Sequence, residues 1–106
     1  MKNYLPTTTP GDARRRANTA TVMNTDGETP SVTWYEEDRI NRLDGGASYE
    51  RTGSLISTFE EDQLDEEILL IDQDSGETVG KTTRGMVMLG VTSLYIHDAQ
   101  KRDKAK

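Results

Sequence analysis

The chain has 106 residues and a formal net charge of -6, with 32% hydrophobic and 30% charged residues. That length suits one small domain, and so low an apolar share builds a core only if it is concentrated in part of the chain. There is no cysteine, which excludes disulfides, thiolate metal sites and a cysteine nucleophile, and no continuous apolar run exceeds four residues, as in Ile68-Leu69-Leu70-Ile71, far short of a membrane span.

Charge is unevenly spread. Lys2, Arg14, Arg15 and Arg16 against Asp12 give residues 1–24 a net +3. Lys101, Arg102, Lys104 and Lys106 against Asp98 and Asp103 give residues 97–106 a net +2, so the middle carries -11. Basic ends around an acidic body favour head-to-tail contacts between copies, or docking on a partner of mixed charge.

Residues 1–30 read as an extended arm and linker. Met1 to Pro10 is polar and threonine-rich, without the apolar stretch of a signal peptide, and Leu5, Val22 and Met23 are the only clear anchors. Asp12 can cap a short helical turn reaching Ala20, and Asn24 to Pro30 is turn-rich. Residues 31–106 then form a small α+β domain. Ser31-Val32-Thr33-Trp34-Tyr35 is a strand by its β-branched and aromatic content, with Val32 and Trp34 on one face and Thr33 and Tyr35 on the other. Asp44-Gly45-Gly46 is a turn, followed by short strands at Ser48–Arg51 and Leu55–Phe59.

Glu60 to Glu67 holds six acidic residues in eight, whose mutual repulsion keeps the segment exposed, as a loop or a helical turn. Ile68 to Ile71 reads as a buried strand, and Asp72 to Thr78 turns the chain into a hairpin returning at Val79 to Lys81. Thr82 or Thr83 caps a C-terminal amphipathic helix from about Arg84 to about Lys101. Its buried stripe is Val87, Val91, Leu94 and Tyr95, widened by Met88, Ile96 and Ala99. Gly85 and Gly90 imply close approach of this helix to a neighbour. The fold is thus an arm, a small antiparallel sheet and one helix.

Catalytic, cofactor and metal motifs do not assemble. Asp72-x-Asp74-x-Gly76 has its glycine one position too early for a calcium loop, with Thr83 where the closing glutamate belongs. Gly76-x-x-x-Gly80-Lys81-Thr82 is one residue short of a phosphate-binding loop. His97, the only histidine, stands beside Asp98 without a nucleophile or cleft to serve, and reads as a packing or interface residue. The chain is therefore expected not to be an enzyme and to use no cofactor. Arg14, Arg15 and Arg16 are candidate partner contacts for an acidic protein surface, since three arginines without neighbouring aromatics specify no nucleic-acid sequence. Trp34 and Tyr35 complete the candidate binding set, because alternation leaves one of the two aromatics at the surface.

The polar arm, strand-rich body, acidic loops and lack of cysteine resemble small accessory proteins of tailed bacteriophages. So does the terminal stretch from Gly76 to about Asp103, with Thr92-Ser93-Leu94-Tyr95-Ile96-His97-Asp98-Ala99-Gln100-Lys101-Arg102-Asp103. The resemblance implies a structural role in the virion, in the head–tail or tail region or decorating the capsid. Assembly would take place in the host cytoplasm, with other virion proteins and copies of itself as partners and no membrane. The alternative expectation is an acidic regulatory protein whose Glu60 to Glu67 run mimics DNA on a host enzyme.

Overall fold

The computed structural model describes residues 13–105. Its strands are β1 (Ala13–Met23), β2 (Ser31–Asn41), β3 (Ala47–Thr58), β4 (Glu67–Ile71) and β5 (Thr78–Thr83), followed by the helix α1 (Arg84–Lys104). A three-stranded antiparallel sheet has the order β1-β2-β3, and β4 and β5 form a separate antiparallel hairpin. The fold class is α+β.

Residues 13–23, expected within an arm and partly as a helical turn, form β1 instead. A helix from Asp12 to Ala20 would have alanines as its only apolar side chains and no stripe to bury, so it would gain little beyond propensity. Pairing with β2 satisfies the backbone groups on the side of β1 that faces it, from Ala13↔Ile40 to Met23↔Ser31, and β-branched Thr19, Thr21 and Val22 suit the pleat. Met1 to Asp12 of the expected arm lie outside the described residues.

The loop to β2 is closed by Glu28 N–H donating to the Thr25 carbonyl at 3.0 Å, with Gly27 at φ 82°. The β2–β3 turn is the expected one. Gly45 takes φ 88°, the Asp44 carboxylate accepts from Gly46 N–H at 2.9 Å, and Arg42 N–H donates to the Gly46 carbonyl at 2.8 Å. The two short strands expected beyond it are one twelve-residue strand that carries straight through Gly53. It does so with a bulge: Glu36 faces Gly53 while Glu37 faces Arg51, leaving Thr52 extra. On the other side of β2, Ala17 faces Glu36 and Thr19 faces Tyr35, leaving Asn18 extra.

The core is small. Val32, Phe59 and Met88 are buried, and Trp34 packs against them half-buried. The helix therefore lies over the sheet face that carries Val32 and Trp34. It is started by Thr83, whose hydroxyl accepts from Met86 N–H at 3.2 Å. Arg84 and Gly85 N–H groups donate to the carbonyls of Glu66 and Leu64, each at 2.9 Å. A Cβ on Gly85 would come within 3.1 Å of the Leu64 carbonyl oxygen, so the close approach expected there is real; around Gly90 the space is open.

Two burial expectations are overturned. In β4 only Ile68 is half-buried, while Leu69, Leu70 and Ile71 are exposed. On α1 the stripe Val87, Val91, Leu94, Tyr95 is exposed, Leu94 by 62%, and the buried residue is Met88 at 7%. The physical reason is area: one three-stranded sheet and one hairpin cannot cover a helix this apolar.

Candidate interaction surfaces

The arginine run lies at the Asn41 end of the sheet, on β1. Successive strand residues point to opposite faces, so Arg14, Arg15 and Arg16 do not act as one cluster. Arg15 stands opposite Asp38. Its Nε donates to Asp38 Oδ1 at 2.9 Å and its Nη2 to Oδ2 at 3.3 Å, a two-pronged pair on a carboxylate only 1% exposed. Arg14, 7% exposed, donates through Nη2 to the Gln73 carbonyl at 2.6 Å and so ties the β4–β5 turn to the sheet.

Register places Arg14 opposite Arg39 and Arg39 opposite Tyr49. The next row of the same face is Arg16, Glu37 and Arg51. Among the described residues of the three strands, four guanidinium groups thus share a face with one carboxylate, and that carboxylate also accepts from Asn18 Nδ2 at 3.0 Å. Nε of Arg14, Arg16 and Arg39 is buried without a hydrogen-bond partner. Among the described residues, no ion pair uses Arg16, Arg39 or Arg51.

The aromatic pair divides as alternation requires. Trp34 turns inward with its Nε1 donating to Ser57 Oγ at 2.8 Å, and Tyr35 is 40% exposed on the opposite face. Tyr35 is the member open to a partner.

The acidic segment is a 3-10 turn, Glu61–Gln63, at the other end of the sheet. Gln63 holds it: its side-chain oxygen accepts from Glu60 N–H and from Thr58 Oγ1, both at 2.9 Å. Glu66 pairs with Arg84 at 3.1 Å, and Glu67 lies 3.7 Å from Lys81. Arg84 also donates to the Thr58 carbonyl at 3.0 Å, fastening the helix start to the end of β3. Glu61, Asp62 and Asp65 remain, exposed and without an ion-pair partner among the described residues.

The third surface is apolar. An open groove of about 470 Å³ runs between Val22 and Asn24 at the end of β1 and Val91, Thr92, Tyr95 and Ile96 of α1. A smaller one of about 160 Å³ lies between Trp34, Phe59, Ile68 and Val87. Leu69, Leu70, Ile71 and Val79 of the hairpin and Met86, Leu89 and Leu94 of the helix add further exposed apolar area.

The near-miss motifs take other roles. Asp72 Oδ1 accepts from Asp74 N–H at 2.8 Å and Ser75 N–H at 3.0 Å, with Gly76 at φ 76°, an Asx turn closing the hairpin. Those bonds, the Ser75 bond first, hold the Asp72 carboxyl below its ordinary value. Gly80, Lys81 and Thr82 lie inside strand β5. His97 Nδ1 is 3.1 Å from Asp98 Oδ1 on an exposed face. No group of three or more His, Cys, Asp or Glu side chains that could hold a metal occurs among the described residues, and no helix among them is long and apolar enough to cross a membrane.

Sequence reasoning missed Asp38 and the two arginines that complete the basic face. Asp38 was detectable, because the period of two that sets Val32 and Trp34 inward also reaches Asp38. Arg39 and Arg51 join Arg14 and Arg16 only through register, which composition does not carry. Comparison with known protein families, with curated proteins and with solved structures returned no match.

Proposed function

We propose that the chain is a structural subunit of a phage virion, in the head–tail or tail region or on the capsid, that completes its fold by assembling with copies of itself and with neighbouring virion proteins. Its role is passive, with no reaction to catalyse. One observation carries this reading: from Met86 to Ile96 the helix is apolar on nearly every side, yet Met88 alone is buried. A helix apolar all round is a helix meant for an interior. Soluble monomers rarely expose contiguous apolar surface on this scale, and such surface marks an interface. The hairpin residues Leu69 to Ile71 extend the same need. The phage assignment rests on the resemblance of the chain's polar start, cysteine-free body and Gly76–Asp103 ending.

The regulatory reading, a DNA mimic built on Glu60 to Glu67, has less behind it. Glu66 and Glu67 face basic partners within the chain and Glu60 helps cap its own turn, so three carboxylates remain where a row of phosphates would have to be imitated. Size-exclusion chromatography with light scattering on the intact protein tests the proposal. A discrete species of several copies is expected, and a monomer persisting at tens of micromolar would overturn it.

A further inference from the structure

We infer that the arginine face of β1–β3 receives the acidic turn of a second copy of this chain, making a head-to-tail contact; the inference rests on the assembly reading above. The arginine face is built against its own interest. Arg14 is directly opposite Arg39, and like charges at paired positions oppose strand pairing. Arg16 and Arg51 flank Glu37, the one carboxylate that register places on this face among the described strand residues, so the strands leave it short of negative charge. An anion from outside offsets that repulsion.

The chain carries a match. Glu61, Asp62 and Asp65 project from a turn held in shape by Gln63, with none of the three committed to an ion pair among the described residues. Within one molecule the two patches cannot meet. The acidic turn follows directly on Thr58, whereas Arg51 and Tyr49 lie seven and nine residues back along the same strand. At the strand rise of roughly 3.3 Å per residue that is about 23–30 Å. Complementary patches at opposite ends of one sheet pair between copies, and a contact of two different surfaces repeats from copy to copy, closing into a ring or running on as a filament. The partner copy supplies the carboxylates the arginine face lacks. Arginine forks favour carboxylates as bidentate partners, and Tyr49, exposed beside Arg39, adds an aromatic rim to the contact.

Charge exchange tests this. One variant carries Glu61→Lys, Asp62→Lys and Asp65→Lys; the other carries Arg16→Glu, Arg39→Glu and Arg51→Glu. Each alone sets like charges against like in the contact, and should need roughly tenfold or more protein to reach half assembly by light scattering. Mixed in equal amounts, they should regain large species in which the two variants alternate, because both contacts are then complementary again. Should the arginine variant fold poorly by circular dichroism, exposed Arg51→Glu paired with Asp62→Lys gives the same comparison. Unchanged assembly of either variant alone, or no recovery on mixing, would overturn the contact while leaving assembly of the parent intact. A parent that never assembles removes the underlying reading instead. Loss of duplex DNA retention in the arginine variant, with its assembly unchanged, would assign the face to nucleic acid.

Discussion

Replacing Leu94 with aspartate separates what the single chain holds from what its assembly holds. Leu94 is 62% exposed, so the isolated fold keeps little more than a third of its side chain from water. Burying a leucine fully is worth about 1.5–3 kcal/mol, which puts the loss in the isolated chain at roughly 1 kcal/mol or less. In an assembly that covers the helix, the remaining share, about 1–2 kcal/mol, is lost at each contact. An unpaired carboxylate is also left in an apolar seam, at a further cost of several kcal/mol. Met88→Ala is the control. Met88 is one of three buried core residues, and its truncation should cost about 2–5 kcal/mol at any protein concentration. Urea unfolding followed by the fluorescence of the single tryptophan, below and above the assembly concentration, distinguishes the two. Leu94→Asp should shift the midpoint slightly in dilute samples and far more in concentrated ones, and sedimentation velocity should show the large species gone. The reasoning fails if Leu94→Asp assembles like the parent, or if it weakens the dilute protein as much as Met88→Ala does.

Asp38→Asn should destabilise the chain by about 3 kcal/mol, near the low end for breaking a buried pair because Arg15 keeps some solvent contact. The double change Asp38→Leu with Arg15→Met, which removes both charges of the pair together, should cost less in the same denaturant titration. Ser57→Ala removes the acceptor of the Trp34 indole N–H and should cost about 1 kcal/mol, with a shift in tryptophan emission; no change in either would place Trp34 elsewhere. The Asp72 carboxyl, held below its ordinary value of 3.8 by the Ser75 and Asp74 amides, should titrate below a random-coil aspartate in a carbon-detected NMR series. Since its folded-state value is the lower one, the turn's contribution is complete above 3.8 and is lost as pH falls through that lower value. Asp72→Ala should abolish that acid sensitivity of the hairpin.

What could be read from the residues alone was local. Asp44-Gly45-Gly46 demands a left-handed glycine, Thr83 offers a hydroxyl to a helix start, and Val32 and Trp34 share a pleat face; each depends on neighbours in the chain. The placement of Arg14, Arg15 and Arg16 depended on something else. Their segment has weak preferences of its own, and its structure comes from the backbone of β2, far along the chain. Burial of the helix was misjudged for a related reason. The periodicity of Val87, Val91, Leu94 and Tyr95 reports which residues avoid water, without saying whether the cover comes from the same chain. Of the binding candidates, Trp34 and Tyr35 divide by simple alternation, whereas the grouping of Arg16, Arg39 and Arg51 exists only once three strands are in register.

The bulges at Asn18 and Thr52 flank β2 on either side of Glu36, the first between the partners of Tyr35 and Glu36 and the second between those of Glu36 and Glu37. β2 itself keeps an unbroken alternation, so both neighbours change phase together and the sheet acquires a crease. On one side of it lie Val32, Trp34 and Ser57 with the helix above them; on the other lie the charged rows. Deleting Asn18 would remove the bulge and leave one regular ladder, with Ala17 still facing Glu36 and Arg15 still facing Asp38. Substitutions beyond the crease keep every core side chain facing as before. The surface chemistry of that end can therefore diverge through point changes, and the bulge can absorb the loss of one residue without moving the arginines.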